Sequence, residues 1–93
     1  MPYELAFLDP ALKEWRKLDA NTRDQFKKKL EERLVNPRVP SAKLRGSVDR
    51  YKIKLHSVGY LLVYEVRDQI LLVVVVAIGK RERGDVYRQA DKR

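Results

Sequence analysis

Apolar and polar side chains alternate through much of the second half of the chain, with the period of two that is typical of half-buried β-strands. The stretches Tyr51 to Leu55 and Tyr60 to Arg67 both show this alternation, and a short turn-like segment joins them. They are therefore predicted to form an antiparallel hairpin. The run from Ile70 to Ile78 is apolar without alternation, which predicts a central strand covered on both faces.

The first forty residues follow a helical period after a short predicted strand from Tyr3 to Phe7. Asp9 is predicted as the N-cap of a helix with Pro10 at its first position, where the missing N–H is not needed. A second helix is predicted from about Asn21 to Asn36, and Pro37 ends it. Its apolar stripe recurs every four residues, at Phe26, Leu30 and Leu34. Both helices are short, so they are expected to pair as a hairpin on the sheet.

The rest of the chain supplies a loop and a final helix. The loop runs for about a dozen residues from Pro37 to Arg50, a length that is often functional in small domains. A short C-terminal helix is expected to begin at Gly84 or Asp85. The predicted fold class is therefore α+β, with element order β-α-α-β-β-β, a helical hairpin packed on a mostly antiparallel four-stranded sheet, and this short C-terminal helix. Residues 1–93 are expected to form a single domain.

Composition narrows the functional classes. The chain has no cysteine and one histidine, which excludes a disulfide framework, a thiolate metal site and a histidine-rich metal site. The longest apolar run has nine residues, far fewer than the roughly 20 that a membrane-spanning helix needs. The N-terminus does not resemble a signal peptide. A cytoplasmic protein with no membrane partner is therefore expected.

Basic residues outnumber acidic residues, and the surplus is uneven. Lysine and arginine total 21 against 13 acids, for a net charge of +8. Residues 41–93 contribute twelve basic and six acidic side chains, a surplus of +6. Positive charge concentrated in this way favours a polyanionic partner, either a nucleic acid or an acidic protein.

Cationic side chains are the main candidates for chemistry, because the chain has no nucleophile elbow and no glycine-rich phosphate loop. Lys52 and Lys54 project from one face of a predicted strand, about 7 Å apart. Further cations and an aromatic ring follow the central strand, at Lys80, Arg81, Arg83 and Tyr87. Such groups suffice for metal-free cleavage of RNA through its own 2′-hydroxyl group, with lysine for proton transfer, arginine for phosphate charge and an aromatic ring for stacking. On the pattern alone, the simpler alternative is favoured, in which the lysine pair is the solvated face of a strand.

Five segments in this order and spacing resemble the RelE branch of the RelE/ParE toxin superfamily. They are ALKEWRKL, KLRG, YKIKL, GYLLVYEV and VAIGKRERGDVY, and the resemblance extends over nearly the whole chain. It implies a toxin of a bacterial type II toxin–antitoxin pair that enters the A site of the 70S ribosome and cuts the messenger RNA there. The implied products are a 2′,3′-cyclic phosphate and a 5′-hydroxyl group, with no metal ion and no cofactor.

The resemblance also assigns roles and partners. The implied catalytic residues are Lys52, Lys54, Arg81 and Tyr87. The candidates for RNA binding are Lys43, Arg45, Arg50, Lys80 and Arg83. The implied partner is a RelB-type antitoxin, with operator DNA reached only indirectly through it. Because the chain is strongly basic, we expect this antitoxin to be acidic and partly disordered, to cover the two helices, and to displace or immobilise the final helix.

Leu61 departs from the family pattern. RelE-type toxins usually have Gly-Tyr-Arg-Leu-Val-Tyr where this chain has GYLLVY, so Leu61 stands where the resemblance implies an arginine that contacts the reacting phosphate. The strand pattern agrees, because an arginine would match the cationic face of Lys52 and Lys54. We expect attenuated activity, with little effect on folding from an aliphatic side chain on a strand face. Drift of the gene and deliberate replacement are both open as the origin of this leucine.

Two other functions are open at this point. The ParE branch shares the fold but inhibits DNA gyrase by binding, and the lysine pair together with the tail tyrosine argues against it. The other function is that of a non-catalytic module that binds RNA or the antitoxin. The leucine at position 61 leaves this alternative open. The leading prediction is a ribosome-dependent mRNA endonuclease that inhibits translation and leaves the same RNA almost uncut when it is free in solution.

Overall fold

The computed structural model describes residues 2–82 and 84–93. In chain order the elements are β1 (Glu4–Phe7), α1 (Asp9–Arg16), α2 (Ala20–Val35), β2 (Arg50–Leu55), β3 (Tyr60–Arg67), β4 (Leu72–Lys80) and α3 (Asp85–Asp91). The strands form one sheet in the order β1-β4-β3-β2, in which β1 is parallel to β4 and the other two pairs are antiparallel. The predicted α+β fold class is confirmed. Within the described residues, no helix has the length and hydropathy to cross a bilayer.

Helices α1 and α2 cover one face of the sheet. The strand residues that face them include Ile53 and Val75, which are 1% and 0% exposed. Phe26 and Leu30 of α2 are buried in the same core, and Leu34 packs against it. The predicted apolar stripe of α2 is therefore confirmed, and it is the burial of this stripe on the sheet that stabilises the helix.

The beginnings of the two helices differ in how they are capped. The prediction of Asp9 as an N-cap is wrong, because Leu8 holds that position and Asp9 lies in the first helical turn. Leu8 is still bound to the sheet, since its N–H donates to the carbonyl of Val75 at 3.0 Å, and α1 begins directly after this bond. Helix α2 has a side-chain cap, in which a carboxylate oxygen of Asp19 accepts from the backbone N–H of Thr22 at 3.4 Å.

Strand β4 lies between β1 and β3, and every residue from Val73 to Ile78 is buried. This confirms the prediction of a central strand with both faces covered. The strand begins at Leu72, two residues later than predicted, because Asp68–Ile70 form a 3₁₀ turn and Leu71 adopts a left-handed conformation with φ of 51°. The connection from β3 is therefore longer than the two-residue turn that the sequence indicated.

Helix α3 covers part of the other face of the sheet, and it begins at Asp85 as expected. Its buried residues Val86 and Ala90 pack on Leu61, Val63 and Ala77. The sheet thus separates two layers of helix, α1 with α2 on one side and α3 on the other. This second layer determines which strand residues of the cationic face reach solvent.

Two arginines tie the C-terminal part of α3 to the rest of the protein. Nη1 of Arg50 in β2 donates to the carbonyl of Ala90 at 2.5 Å. Arg93 binds Glu14 of α1 at 2.9 Å and the carbonyl of Val76 in β4 at 2.8 Å. Helix α3 is short, so these contacts and its apolar residues hold it in place rather than its own helical propensity.

Candidate active site

Lys52 and Lys54 lie on the face of β2 that is turned away from α1 and α2. Their neighbours along the strand are buried against those helices, so the alternation places both ammonium groups on the side where α3 packs. The positive charge of Lys52, followed by partial burial and the charge of Arg81, lowers the pKa of Lys54 below its usual range. Lys54 can therefore exchange a proton closer to neutral pH than an isolated lysine can.

Helix α2 supports β2 from behind at Lys52. Nη1 of Arg33 donates to the carbonyl of Lys52 at 3.2 Å and to the hydroxyl of Tyr64 at 2.9 Å. The Tyr64 hydroxyl in turn donates to the carbonyl of Pro37 at 2.6 Å. Arg33 is therefore bound to the sheet rather than simply solvated. The signal in the sequence is its position three residues after Leu30, at the edge of the apolar stripe of α2.

Arg81 follows β4 and lies next to the turn between β2 and β3. Its backbone N–H donates to the carbonyl of Gly59 at 2.9 Å, and its Nη1 lies 3.1 Å from Nδ1 of His56. A pocket of about 180 Å³ is lined by cations and by residues of α3, among them Lys54, Lys80, Arg81, Val86 and Tyr87. No local pattern in the sequence indicates a role for His56, because its contact with Arg81 joins two segments that are 25 residues apart.

Tyr87 lies between this pocket and a second pocket of about 440 Å³. The second pocket is lined by Lys43, Leu44, Arg45, Lys52, Tyr87 and Asp91. Tyr87 is half-buried against the apolar residues beneath α3, which restricts the positions that its ring can take. One aromatic ring thus joins two cation-lined pockets, and seven of the predicted site residues lie along them, namely Lys43, Arg45, Lys52, Lys54, Lys80, Arg81 and Tyr87.

Arg50, another of the RNA-binding candidates, is not among the residues that line these pockets. Arg50 has a side chain that is 20% exposed and lies 3.2 Å from Glu65, in addition to its bond with the carbonyl of Ala90. Its guanidinium group is therefore engaged in holding β2, β3 and α3 together. Arg83 lies outside the described residues.

Leu61 lies directly across from Lys54 in the pairing of β2 with β3, and across from Gly79 in the pairing of β3 with β4. It shares the cationic face, as the strand pattern predicts. The leucine is only 3% exposed, however, because α3 covers it. A Cβ atom on Gly79 would lie 3.0 Å from Val86, which shows how closely α3 approaches the sheet here. The sequence placed Leu61 on a strand face, and the structure adds that this part of the face is covered by a helix.

The chemical groups of the site are ammonium, guanidinium, imidazole and phenol. Within residues 2–82 and 84–93, no group of three or more histidine, aspartate or glutamate side chains is placed to bind a metal ion. The carboxylates that line the two pockets are Glu82, Asp85 and Asp91. This set can bind phosphate, transfer a proton through a lysine and stack a base on Tyr87.

Comparisons with known proteins identify the family. The family model described as "ParE toxin of type II toxin-antitoxin system, parDE" matches residues 5–84. The mRNA interferase toxin RelE of Escherichia coli K12 is 56% identical over 93 residues, which cover 100% of this chain and 98% of that protein. The chain therefore belongs to the RelE/ParE family of toxins of type II toxin–antitoxin systems.

Solved structures show which members of the family the chain resembles. A variant of the E. coli toxin RelE in the free state matches with a TM-score of 0.92 and 53% identity, over 99% of this chain and 97% of that chain. A chain of the intact E. coli RelBE toxin–antitoxin complex matches with a TM-score of 0.83 and 56% identity, over 87% of this chain and 99% of that chain. Within the family, the protein is similar to the RelE-type toxins.

Proposed function

We propose that this protein is an endoribonuclease that cuts messenger RNA in the ribosomal A site, with the 2′-hydroxyl group of the RNA as the nucleophile and without a metal ion. The observation that carries the proposal is the cluster of Lys52, Lys54 and Arg81 beside Tyr87. In the described part of the chain, none of these three cations forms an ion pair with a carboxylate. Their charge is therefore available to a phosphate group, and two similar proteins bear the name mRNA interferase.

Each group has a part in the proposed reaction. A base removes the proton of the 2′-hydroxyl group, and the 2′-oxygen attacks the adjacent phosphorus to give a 2′,3′-cyclic phosphate. The bond from phosphorus to the 5′-oxygen breaks, and the 5′-oxygen takes up a proton from solvent to leave as a hydroxyl group. Lys54 is suited to be the base, because its pKa is lowered by Lys52, by burial and by Arg81. Lys52 and Arg81 stabilise the charge that develops on the phosphate oxygens. Tyr87 stacks on a splayed base and keeps the chain in line for attack.

The second pocket supports a path for the RNA beyond the reacting phosphate. Lys43 and Arg45 line it together with Lys52 and Tyr87, so the backbone of a single strand can follow positive charge on both sides of the ring. The pockets are small, and they offer little that would align a flexible RNA by themselves. The ribosome supplies that alignment in our proposal, since the orientation of a substrate is worth several kcal/mol of a reaction barrier.

A RelB-type antitoxin is the proposed protein partner, with operator DNA contacted only through it. One similar structure is that of a RelBE toxin–antitoxin complex, and the net charge of +8 on this chain suits an acidic partner. The proposed antitoxin is partly disordered alone and folds on the toxin. Hydrogen exchange should then show new protection of the backbone amides of α1, α2 and α3 on binding. If these amides exchanged as fast in the complex as in the free toxin, this arrangement would be contradicted.

Programmed ribosomes provide the test of the proposed activity. The RNA ends are mapped by primer extension after incubation with the protein, and the same RNA without ribosomes serves as the control. We expect cuts within the A-site codon and almost none in free RNA. Efficient cleavage of free RNA at low protein concentration would contradict ribosome dependence. The lack of cuts by both this protein and its Leu61→Arg variant would refute the nuclease proposal.

Inhibition of DNA gyrase is the second candidate function, because the matching family model carries the description of ParE. A supercoiling assay with purified gyrase separates the two candidates. We expect no inhibition at protein concentrations that give complete cleavage on ribosomes. Inhibition of gyrase without cleavage would favour the second candidate, and a protein inactive in both assays would be a non-catalytic binding module.

A further inference from the structure

His56 is the only histidine of the chain, and it has a specific contact. It follows β2 in the turn to β3, and its Nδ1 lies 3.1 Å from Nη1 of Arg81. The backbone N–H of Arg81 is bound to the carbonyl of Gly59 in the same turn. One turn of the chain therefore holds Arg81 twice, once by its backbone and once by its guanidinium group.

The contact between the two side chains depends on the protonation state of the imidazole. A guanidinium group can only donate hydrogen bonds, so Nδ1 of His56 must be the acceptor and its proton must be on Nε2. A protonated imidazole donates from both nitrogens and carries a positive charge. Protonation would therefore replace an attractive contact with a repulsive one.

The pocket around Arg81 contains both cations and carboxylates, but the carboxylates are not bonded to the pair. The charged or titratable groups that line the pocket around Arg81 come from three elements: Lys54 of β2, Lys80 and Glu82 at the end of β4, and Asp85 and Tyr87 of α3. Among the described residues, no carboxylate is hydrogen bonded to His56 or to Arg81. Histidine is the side chain that ordinarily changes its charge between about pH 5 and pH 8.

We propose that His56 is a positioning residue that holds the guanidinium of Arg81 beside Lys54 while its imidazole is neutral and releases it on protonation. The site is then more active with a neutral imidazole than with a protonated one. The catalytic part of this inference rests on the proposed nuclease function, whereas the contact itself can be tested in the free protein.

Three variants separate the acceptor from the charge. In His56→Asn the amide oxygen lies close to the position of Nδ1 and cannot be protonated, so this variant retains the acceptor without the titration. His56→Ala removes the acceptor, and His56→Arg keeps a permanent positive charge there. At pH 7.5 we expect single-turnover cleavage on ribosomes to be about 10-fold slower in His56→Ala, slower still in His56→Arg, and rescued by His56→Asn.

The pH profile distinguishes positioning from a general effect on folding. Between pH 7.5 and pH 5.5, the range in which histidine side chains ordinarily change their charge, the rate of the unchanged protein should fall by up to about 10-fold. The ratio of this rate to that of His56→Asn isolates the fall, because the ribosome and Lys54 titrate in both reactions. In the Arg81→Ala background, His56→Ala should have no further effect. A constant ratio across this range would overturn the proposal.

Nuclear magnetic resonance tests the contact without any cleavage. Because the chain has one histidine, its imidazole signals are unambiguous, and the Arg81 guanidinium signal can be assigned by its loss in Arg81→Lys. We expect the Arg81 signal to shift with the same midpoint as the imidazole in the unchanged protein, and to be insensitive in His56→Asn. An Arg81 signal that does not respond to the imidazole would overturn the inference, whatever the activity. Another outcome is that the Arg81 signal follows the imidazole and yet the protein never cuts RNA. That result would refute the nuclease function and with it the catalytic role of His56. It would leave the contact between His56 and Arg81 standing.

Discussion

Strand β3 has basic residues near both of its ends, and the charges are arranged differently at the two ends. Near Arg67, Nη2 of Arg38 lies 2.9 Å from Asp49 and 2.6 Å from Asp68, and Glu65 binds Arg67 at 2.8 Å. Near Tyr60, the cations are those of the candidate active site. Among residues 2–82 and 84–93, no carboxylate forms an ion pair with Lys52, Lys54, Lys80 or Arg81.

The pKa values reflect this difference. Hydrogen bonds from Arg38 and Tyr3 lower the pKa of Asp68, so an arginine at the paired end stabilises a neighbouring carboxylate. At the unpaired end, cations act on one another, and the charge of Lys52 is the main cause that lowers the pKa of Lys54. The same residue types therefore stabilise the fold at one end and are free to bind a polyanion at the other. Pairing, rather than the number of basic residues, separates the two regions.

The largest effect is expected from removal of a cation at the unpaired end. Lys54→Met should slow single-turnover cleavage on ribosomes by about 100- to 10,000-fold, because it removes the proposed base, with little change in melting temperature. The matched control is Lys28→Met. Lys28 is an exposed lysine of α2, which packs on the opposite face of the sheet, so this variant should cleave at nearly the original rate. Equal losses in the two variants would mean that general charge, and not the cluster, determines activity.

The next effect comes from adding a cation to the same end. Leu61→Arg should accelerate cleavage by about 30- to 1,000-fold, since a charge beside the reacting phosphate is worth about 2 to 4 kcal/mol of barrier. The variant should also lose about 1 to 3 kcal/mol of stability, because Leu61 is 3% exposed beneath α3. Leu61→Gln is the matched control, with the loss of packing and no charge. Equal rates in Leu61→Arg and the unchanged protein would show that this position is not part of the site.

At the paired end, loss of a cation should affect stability and leave cleavage unchanged. Arg38→Met leaves Asp49 and Asp68 without their partner, and we expect a loss of roughly 1 kcal/mol, because the group is partly exposed and its ion pairs are screened. The melting temperature should fall by about 4 to 8 °C, while the cleavage rate stays within about twofold of the original. Arg16→Met, at an exposed arginine of α1, is the control for the loss of one charge. A large fall in cleavage by Arg38→Met alone would break the distinction between the two ends.

The smallest effect is the pH dependence of stability. Since Arg38 and Tyr3 lower the pKa of Asp68 in the folded protein, the unfolded chain binds this proton more readily. The contribution of Asp68 is present above about pH 4, the ordinary titration range of an aspartate, and is lost as the pH falls through its lowered folded value. Urea midpoints of Asp68→Asn should therefore lie below those of the unchanged protein at pH 6 and approach them in acid. Asp24→Asn is the control at an exposed carboxylate. If the urea midpoints of Asp68→Asn and the unchanged protein differed by the same amount at every pH, the prediction would be wrong.

Local pattern predicted most of the elements of this protein. The period of two in β2 placed Lys52 and Lys54 on one face, and the unbroken apolar run of β4 marked the central strand. Both features depend on side-chain direction within one strand, which is set by backbone geometry alone. The element boundaries were less accurate, since Leu8 replaces Asp9 as a helix cap and Leu71 delays the start of β4. In each case a backbone hydrogen bond or dihedral angle outside the local pattern decided the position.

The sequence by itself determined the strands, the helices and the side-by-side placement of the lysine pair, because these follow from the order of nearby residues. Only the tertiary structure decided which cations are neutralised and which are free. Arg50 resembles the other candidates in sequence, yet it binds Glu65 and the carbonyl of Ala90, which is 40 residues away. Leu61 is buried by α3, and Arg81 meets His56 across 25 residues. Such contacts require distant segments to be brought together by the packing of α3 and by the turns, and no short-range periodicity records that packing.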